Sequence, residues 1–212
     1  MKKRRLKLIV FLALPLLFSG CFPGGPEYID ELDMVVTNHD PEFDFQSVGT
    51  YALPDDVVKI TGNLQDGDDV EFVNPVYANA ILESIRENMG NYGWTEVDKG
   101  DDPDIVILPS AMSSTTLVYY YDYWYWDWWY PYSWWGWYYP YPVYGGSYTS
   151  GSVFIQMTYP EGITAADNIP VVWSGILNGL LEGSTAEINS RIETSIDQAY
   201  SQSPYLNLGN AN

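Results

Sequence analysis

The sequence has 212 residues, a typical length for one or two domains, and 46% of them are hydrophobic, so the chain can form a packed core. Five of its nine basic residues lie in the first seven positions, which leaves four against 28 acidic residues and a formal charge of −24 over positions 21–212. So acidic a chain repels phosphate backbones, which excludes nucleic acid as a partner. One cysteine and one histidine exclude a disulfide framework, a cysteine-built zinc site and most histidine-dependent chemistry.

Positions 1–20 have the pattern of a secretory signal peptide. Basic residues at positions 2–7 precede the apolar run from Leu8 to Phe18, which is too short for a transmembrane helix and typical of a signal core. The run ends in LFSGC, and its last residue, Cys21, is the single cysteine. This junction resembles the lipobox of bacterial lipoproteins, although Phe18 stands where Leu, Val or Ile is usual. We therefore predict a lipid anchor on Cys21; the alternative is an ordinary secretory signal followed by a free thiol.

Positions 21–33 are predicted to form a flexible acidic tether. The sequence PGGP at positions 23–26 disfavours regular structure, and four carboxylates follow before position 34. Phe22 is not aspartate, which by resemblance to enterobacterial sorting rules favours the outer membrane. The acidic run resembles surface-export signals of some Bacteroidetes lipoproteins, but a solvated tether has the same composition. We expect an outer-membrane lipoprotein, held by lipid at Cys21, with surface exposure as a further expectation.

Positions 34–208 are predicted to form one α+β domain. The first helix has Asn74 as its N-cap and Pro75 as its first residue, and an apolar stripe continues to Met89. The second helix begins with a capping-box pattern, Ser184 to Glu187, and the stretch 55–69 is predicted to be a loop or hairpin. Apolar, β-branched and aromatic runs predict strands at 34–37, 50–53, 94–97, 105–108, 153–159 and 171–177. This order predicts a two-layer domain, a mixed or antiparallel sheet with both amphipathic helices on one face.

The order of these segments resembles the domain-of-unknown-function 4136 family over roughly positions 40–204. The resemblance rests on the run 43–53, on Gly93-Trp94, on PDIVI at 103–107, on VWSG at 172–175 and on the terminal helix. It implies a bacterial envelope lipoprotein without an assigned activity, and it supplies no catalytic residue. The chain departs from the family's pattern at positions 159–162 and in the size of an aromatic insertion.

The aromatic insertion, positions 117–151, is the most unusual part of the sequence. Of the 26 residues at 119–144, 18 are Trp or Tyr. Such rings stack on sugars, contact protein partners and concentrate at membrane interfaces, and they also pack within a domain. The tract has no Lys or Arg to attract anionic lipid, which disfavours the membrane surface. The candidate binding residues are Trp124, Trp126, Trp128, Trp129, Trp134, Trp135 and Trp137.

Two carboxylate clusters are weak candidates for metal binding. Hard oxygen ligands at Asp66, Asp68, Asp69 and Glu71 suit calcium, but the spacing is not that of an EF-hand, so a solvated loop is favoured. His39 lies beside Asp40, Glu42 and Asp44, and with no second histidine we favour polar surface.

The sequence has neither a nucleophile elbow nor a phosphate-binding loop. We therefore predict a non-enzymatic protein without cofactor or metal, with a structural or binding role and an envelope protein or neutral glycan as partner. The alternative is a carbohydrate-binding accessory lipoprotein that uses the aromatic insertion.

Overall fold

The computed structural model describes residues 34–60, 70–112, 116–117, 136–138, 147–148, 151–165, 168–180 and 184–210. All of them belong to one structural unit, Asp33–Asn212. The predicted signal peptide, the lipidation site at Cys21 and the tether lie outside the described residues.

The chain forms an α+β domain with a mixed β-sheet. Its strands are β1 (Met34–His39), β2 (Thr50–Ala52), β3 (Val58–Ile60), β4 (Thr95–Glu96), β5 (Ile105–Met112), β6 (Thr116–Leu117), β7 (Gly136–Tyr138), β8 (Ser147–Tyr148), β9 (Val153–Thr158) and β10 (Asn168–Asn178). The sheet order is β1-β10-β9-β5-β2-β4, with β3 paired to β5 and β7 paired to β10. The β1–β10, β10–β9 and β9–β5 pairs are antiparallel. The β5–β2, β2–β4, β3–β5 and β7–β10 pairs are parallel.

Both predicted helices are confirmed, together with their N-terminal signals. Helix α1 (Pro75–Asn91) begins after Asn74, whose side-chain oxygen accepts a hydrogen bond from the Val76 N–H at 3.0 Å. Helix α2 (Thr185–Ser201) begins after Ser184, whose N–H donates to the Glu187 carboxylate at 3.1 Å. Each contact satisfies a backbone N–H that the helix itself leaves without a partner. Neither helix of the described residues has the length and apolarity needed to cross a bilayer.

The main core lies between the helices and one face of the sheet. The apolar stripes of α1 and α2 are buried against alternate residues of β5 and β9 and against β10, where an irregularity in register brings the consecutive residues Val172 and Trp173 into the same core. The predicted arrangement, two helices on one face of a mixed sheet, is therefore confirmed. The buried residues are Ile81, Leu82, Ile85 and Met89 of α1, Ile188, Ile192, Ile196 and Ala199 of α2, and Ile105, Ile107, Ile155, Met157, Val172 and Trp173 of the sheet.

Two short strands join the sheet from the stretch predicted to be a loop or hairpin and from the aromatic insertion. Strand β3 lies in the stretch expected to be a loop or hairpin, and it pairs with the second half of β5, from Ser110 to Met112. Strand β7 lies inside the aromatic insertion and pairs with the first three residues of β10. Both are only three residues long, and short strands are stabilised by distant partners rather than by local sequence.

Candidate functional site

One of the seven candidate tryptophans lies within the described residues. Six of them, Trp124, Trp126, Trp128, Trp129, Trp134 and Trp135, lie outside the described residues. Trp137 is the middle residue of β7 and pairs with Ile169 of β10. The aromatic insertion therefore contributes a strand next to β10.

Two other short strands of the insertion, β6 and β8, pair with each other close to the antiparallel strands β5 and β9. Strands β6 and β8 are antiparallel, with Thr116 opposite Tyr148 and Leu117 opposite Ser147. Strand β6 follows the end of β5, and β8 precedes the start of β9. At this end of the sheet, Ala111 of β5 lies opposite Val153 of β9. The β7 pairing lies at the other end of the sheet, because the Tyr159 N–H after β9 donates to Pro170 in β10 at 2.9 Å. The insertion is thus attached at both ends of the sheet.

The face of β5, β9 and β10 that points away from the helices, here called the helix-free face, is buried as well. Its apolar members Val106, Leu108 and Phe154 lie outside the core cluster that contains the helices. On two neighbouring strands, six residues of this face are at most 2% exposed: Val106 opposite Thr158, Leu108 opposite Gln156, and Ser110 opposite Phe154. Both sides of β9 are therefore buried, although its helix-free side includes the polar residues Gln156 and Thr158.

The predicted calcium cluster is described at one position. Glu71 accepts a hydrogen bond from the Lys59 ammonium at 2.8 Å, and both side chains are exposed. Asp66, Asp68 and Asp69 lie outside the described residues. In the ranges that the structure describes, no three His, Cys, Asp or Glu side chains converge as a metal site would require.

The single histidine is held by aromatic packing. The His39 ring stacks on Tyr205 with 3.8 Å between centroids, and Phe45 lies 6.4 Å away. Burial lowers the pKa of His39, and the neighbouring Asp40 charge acts in the opposite direction. The Asp40 carboxylate accepts a hydrogen bond from the Glu42 N–H at 2.9 Å, which is a local turn. The His39 ring is therefore half-buried in an aromatic cluster rather than on the open polar surface that the sequence analysis favoured.

A cleft that the sequence analysis did not identify lies beside β4. It has a volume of about 870 Å³, and its walls carry four carboxylates and one lysine. Arg86 of α1 reaches one of these carboxylates, Glu96, at 3.1 Å. Three of its lining residues belong to the acidic turn 98–104, a sequence typical of a structural turn. The lining residues are Leu53, Asp55, Glu96, Val97, Asp98, Lys99 and Asp101.

Asp104, the last residue of that turn, joins the starts of β2 and β5. Its carboxylate accepts hydrogen bonds from the N–H of Gly49 at 2.9 Å and from the N–H and hydroxyl of Thr50 at 2.8 Å each. Partial burial acts to raise the pKa of Asp104, but these three hydrogen bonds outweigh it, so the net direction is down. The charged carboxylate is therefore part of the folded structure.

We expect Asp104→Ala to destabilise the domain by about 1–3 kcal/mol, because it leaves two backbone N–H groups without their acceptor. Urea denaturation at neutral pH measures this loss, and Asp101→Ala, in the same turn but exposed, is the control. The pKa of Asp104 is lower in the folded protein than in the unfolded chain, where it is about 3.9. The carboxylate therefore makes its full contribution to the free energy of unfolding above the unfolded pKa, and this contribution is lost as the pH falls through the folded pKa. The difference in the free energy of unfolding between Asp104→Asn and the wild type should therefore disappear in strong acid. An equal difference at pH 7 and pH 2 would contradict this role.

A family model and one solved structure identify the same family. The model of a domain of unknown function, DUF4136, matches residues 35–205. The chain is similar to the crystal structure of a DUF4136 family protein from Bacteroides thetaiotaomicron, with 31% identity over 83% of this chain and 98% of that one and a TM-score of 0.66. A PelC dodecamer from Paraburkholderia phytofirmans is 9% identical over 79% of this chain and 97% of that one, with a TM-score of 0.37. No curated protein matches the chain.

Proposed function

This chain belongs to the DUF4136 family, and from that premise we propose that it is a lipid-anchored protein of the cell envelope with a non-enzymatic binding role. The anchor is the acylated Cys21, and the binding surface is the aromatic insertion, 117–151. The observation that supports the proposal is the pairing of β7 with β10, because β7 contains Trp137, one of the candidate residues of the insertion.

The proposed anchor is supported by the first 21 residues. A basic start, an apolar run of eleven residues and two small residues precede the single cysteine. Each buried CH₂ of an acyl chain contributes about 0.8 kcal/mol to membrane attachment, and more than one chain makes the attachment durable. The outer membrane is the proposed location, because Phe22 follows the cysteine where inner-membrane retention would favour aspartate.

We expect Cys21→Ser to abolish the incorporation of a clickable fatty acid and to leave the chain unprocessed. The serine hydroxyl does not replace the thiolate as the nucleophile that accepts the lipid. Metabolic labelling followed by membrane fractionation measures both effects, and Ser19→Ala, which keeps a small residue before the cysteine, is the matched control. Equal labelling of the wild type and Cys21→Ser would refute the lipid anchor.

The proposed binding surface is supported by the chemistry of the insertion. Tryptophan and tyrosine offer large, stiff ring faces at little entropic cost, and they stack on sugars and on apolar protein surfaces. The only charged residues within 119–144 are Asp122 and Asp127. With a formal charge of −24 on positions 21–212, the protein repels anions. The proposed partner is therefore neutral, an apolar patch of an envelope protein.

A neutral glycan is the second candidate partner, which would make the protein a carbohydrate-binding accessory of the envelope. The feature that favours it is the number of ring faces, because planar aromatic side chains stack on sugar rings with little need for charge. The two candidates differ in what competes for the rings: free oligosaccharide displaces a glycan and does not displace a protein partner.

A further inference from the structure

The two edges of the sheet are formed by strands of different kinds. Strand β4 has two residues, Thr95–Glu96, and the charged residues Asp98 and Lys99 follow it closely. A short, charged edge protects a sheet from pairing with another chain. Strand β1, at the opposite edge, has six residues, none of them acidic, lysine, arginine, proline or glycine, and its register with β10 is continuous. The β1 edge therefore lacks the features that usually protect a sheet.

The hydrogen-bond pattern of β1 determines which of its backbone groups point outward. The Asp40 N–H donates to the Val172 carbonyl at 2.9 Å, in line with the register of β1 and β10. Because the backbone groups of an antiparallel strand alternate in direction, the even-numbered residues of β1 bond to β10. Val35, Thr37 and His39 direct their N–H and C=O groups to the other side, here called the outer edge of β1. Among the described residues, no strand pairs with this outer edge.

The side chains of β1 hold the strand in place without using its outer edge. Val35 is buried in the main core, and the His39 ring stacks on Tyr205 with 3.8 Å between centroids. Met34, at 56%, is the most exposed large apolar side chain of the described residues. An ordered strand accepts a further strand at a lower entropic cost than a disordered one, because its backbone is already fixed. The outer edge of β1 is thus a preformed template, with an exposed apolar side chain at its start.

Acidic residues flank β1 at both ends of the strand. Positions 27–33 contain four carboxylates and positions 40–44 contain three, and neither range has a Lys or Arg. The Asp40 and Asp44 carboxylates accept hydrogen bonds from N–H groups two residues later, which leaves their charges in place. In an antiparallel pair of two copies centred on Thr37, Asp40 of each copy would lie opposite Met34 of the other, next to that copy's own acidic residues. Such like charges repel, whereas a strand with basic ends would be attracted.

We propose that the outer edge of β1 binds an extended segment of a partner protein, uncharged where it pairs with the strand and basic at its ends. The segment adds a strand to the sheet, and its backbone exchanges hydrogen bonds with Val35, Thr37 and His39. These backbone bonds supply affinity, and the flanking carboxylates select a segment with Lys or Arg at its ends. This surface is separate from the aromatic insertion, so the chain has a second binding site of different chemistry.

Fluorescence anisotropy with labelled synthetic peptides and the full-length protein tests this proposal. The probe is a peptide of alternating valine and threonine, as long as β1, with one added lysine at each end. One control peptide has glutamate in place of both lysines, and a second has a methyl group on every central backbone nitrogen. The protein variant is Thr37→Pro, which removes an outward N–H and leaves the hydrogen bonds between β1 and β10 intact. Thr37→Val, which keeps this N–H, is its matched control.

We expect the lysine peptide to bind the wild type and Thr37→Val equally, and to bind Thr37→Pro about tenfold more weakly, because one backbone hydrogen bond is lost. The methylated peptide should not bind the wild type, and this result is informative even if Thr37→Pro fails to fold. The glutamate peptide should bind more weakly than the lysine peptide, and high salt should reduce the difference between them.

Amide hydrogen exchange followed by NMR identifies the strand that the peptide contacts. In the free protein, the N–H groups of Val36 and Asn38 should exchange slowly and those of Val35 and Thr37 rapidly. The lysine peptide should then slow the exchange of Val35 and Thr37. Failure of the lysine peptide to bind, or equal binding of either control peptide, would overturn the proposal. Protection of Val35 and Thr37 that rises with protein concentration in the absence of peptide would overturn it too, because the occupant would then be a second copy.

Discussion

Trp173→Ala is expected to destabilise the domain by about 3–5 kcal/mol, the usual cost of truncating a fully buried large aromatic side chain. Trp173 of β10 is 0% exposed at the centre of the core between sheet and helices. Its indole N–H donates to the Ser203 hydroxyl at 2.9 Å, and its ring lies 5.8 Å from that of Tyr200. The substitution therefore removes packing from sheet and helix together and leaves a cavity.

The ring of Trp173 also explains the glycine two positions later. A Cβ atom added at Gly175 would lie 2.7 Å from the indole ring, well inside van der Waals contact. The two residues point to the same side of β10, so the ring covers the glycine. Gly175→Ala should therefore displace the ring and destabilise the domain by about 1–3 kcal/mol through overpacking.

Guanidinium denaturation of the purified proteins measures both effects. Tyr200→Phe is the matched control in the same cluster, because among the described residues the buried Tyr200 hydroxyl has no hydrogen-bond partner. Removing an unpaired buried hydroxyl should be neutral or slightly stabilising. A decrease in the free energy of unfolding of less than about 1 kcal/mol for Trp173→Ala would mean that this ring contributes little to the packing of the core.

The parts of the fold that depend on local signals could be predicted from the sequence. The start of α1 at Asn74 and Pro75 and the capping box at Ser184 are such signals, because each places a side chain against a backbone group two or three residues away. The strand predicted at 105–108 continues in the structure to Met112. Proline donates no hydrogen bond to a neighbouring strand, but Pro109 lies in register with Ile155 of β9, and on the other side the β3 pairing begins at Ser110.

The parts that depend on distant partners could not be predicted. The Asp104 carboxylate accepts a hydrogen bond from Thr50, which lies 54 residues earlier in the chain. The local sequence around Asp104 predicts only a turn. Strand β7 is recognisable only by its pairing with β10. In β9, the alternation of Val153, Ile155 and Met157 with the other residues predicts one apolar face, whereas Phe154, Gln156 and Thr158 are buried too. Because Gln156 and Thr158 are polar, hydrophobicity alone does not predict that this second face is buried.

For the binding site, Trp124→Ala combined with Trp126→Ala is expected to weaken binding of a neutral partner by about 1–3 kcal/mol for each lost stacking ring, by analogy with bases stacked on aromatic side chains. The pair lies in the segment richest in tryptophan, and alternate residues of an extended chain share a face. Phe72→Ala is the control, because Phe72 is an apolar ring, 41% exposed, outside the insertion. It should leave the affinity unchanged.

The central claim is that the aromatic insertion is a binding surface for neutral partners. Its most direct test is a tryptophan fluorescence titration of the purified protein with neutral polysaccharides, uronic-acid polysaccharides, and neutral and anionic vesicles, at low and high salt. We predict a saturable change with at least one of the neutral ligands, with little dependence on salt, because no charge pairs form. The same titration should fail with the anionic ligands, which the acidic protein repels. Emission that does not respond to any of the four ligands, or that responds to the anionic ones alone, would contradict the claim.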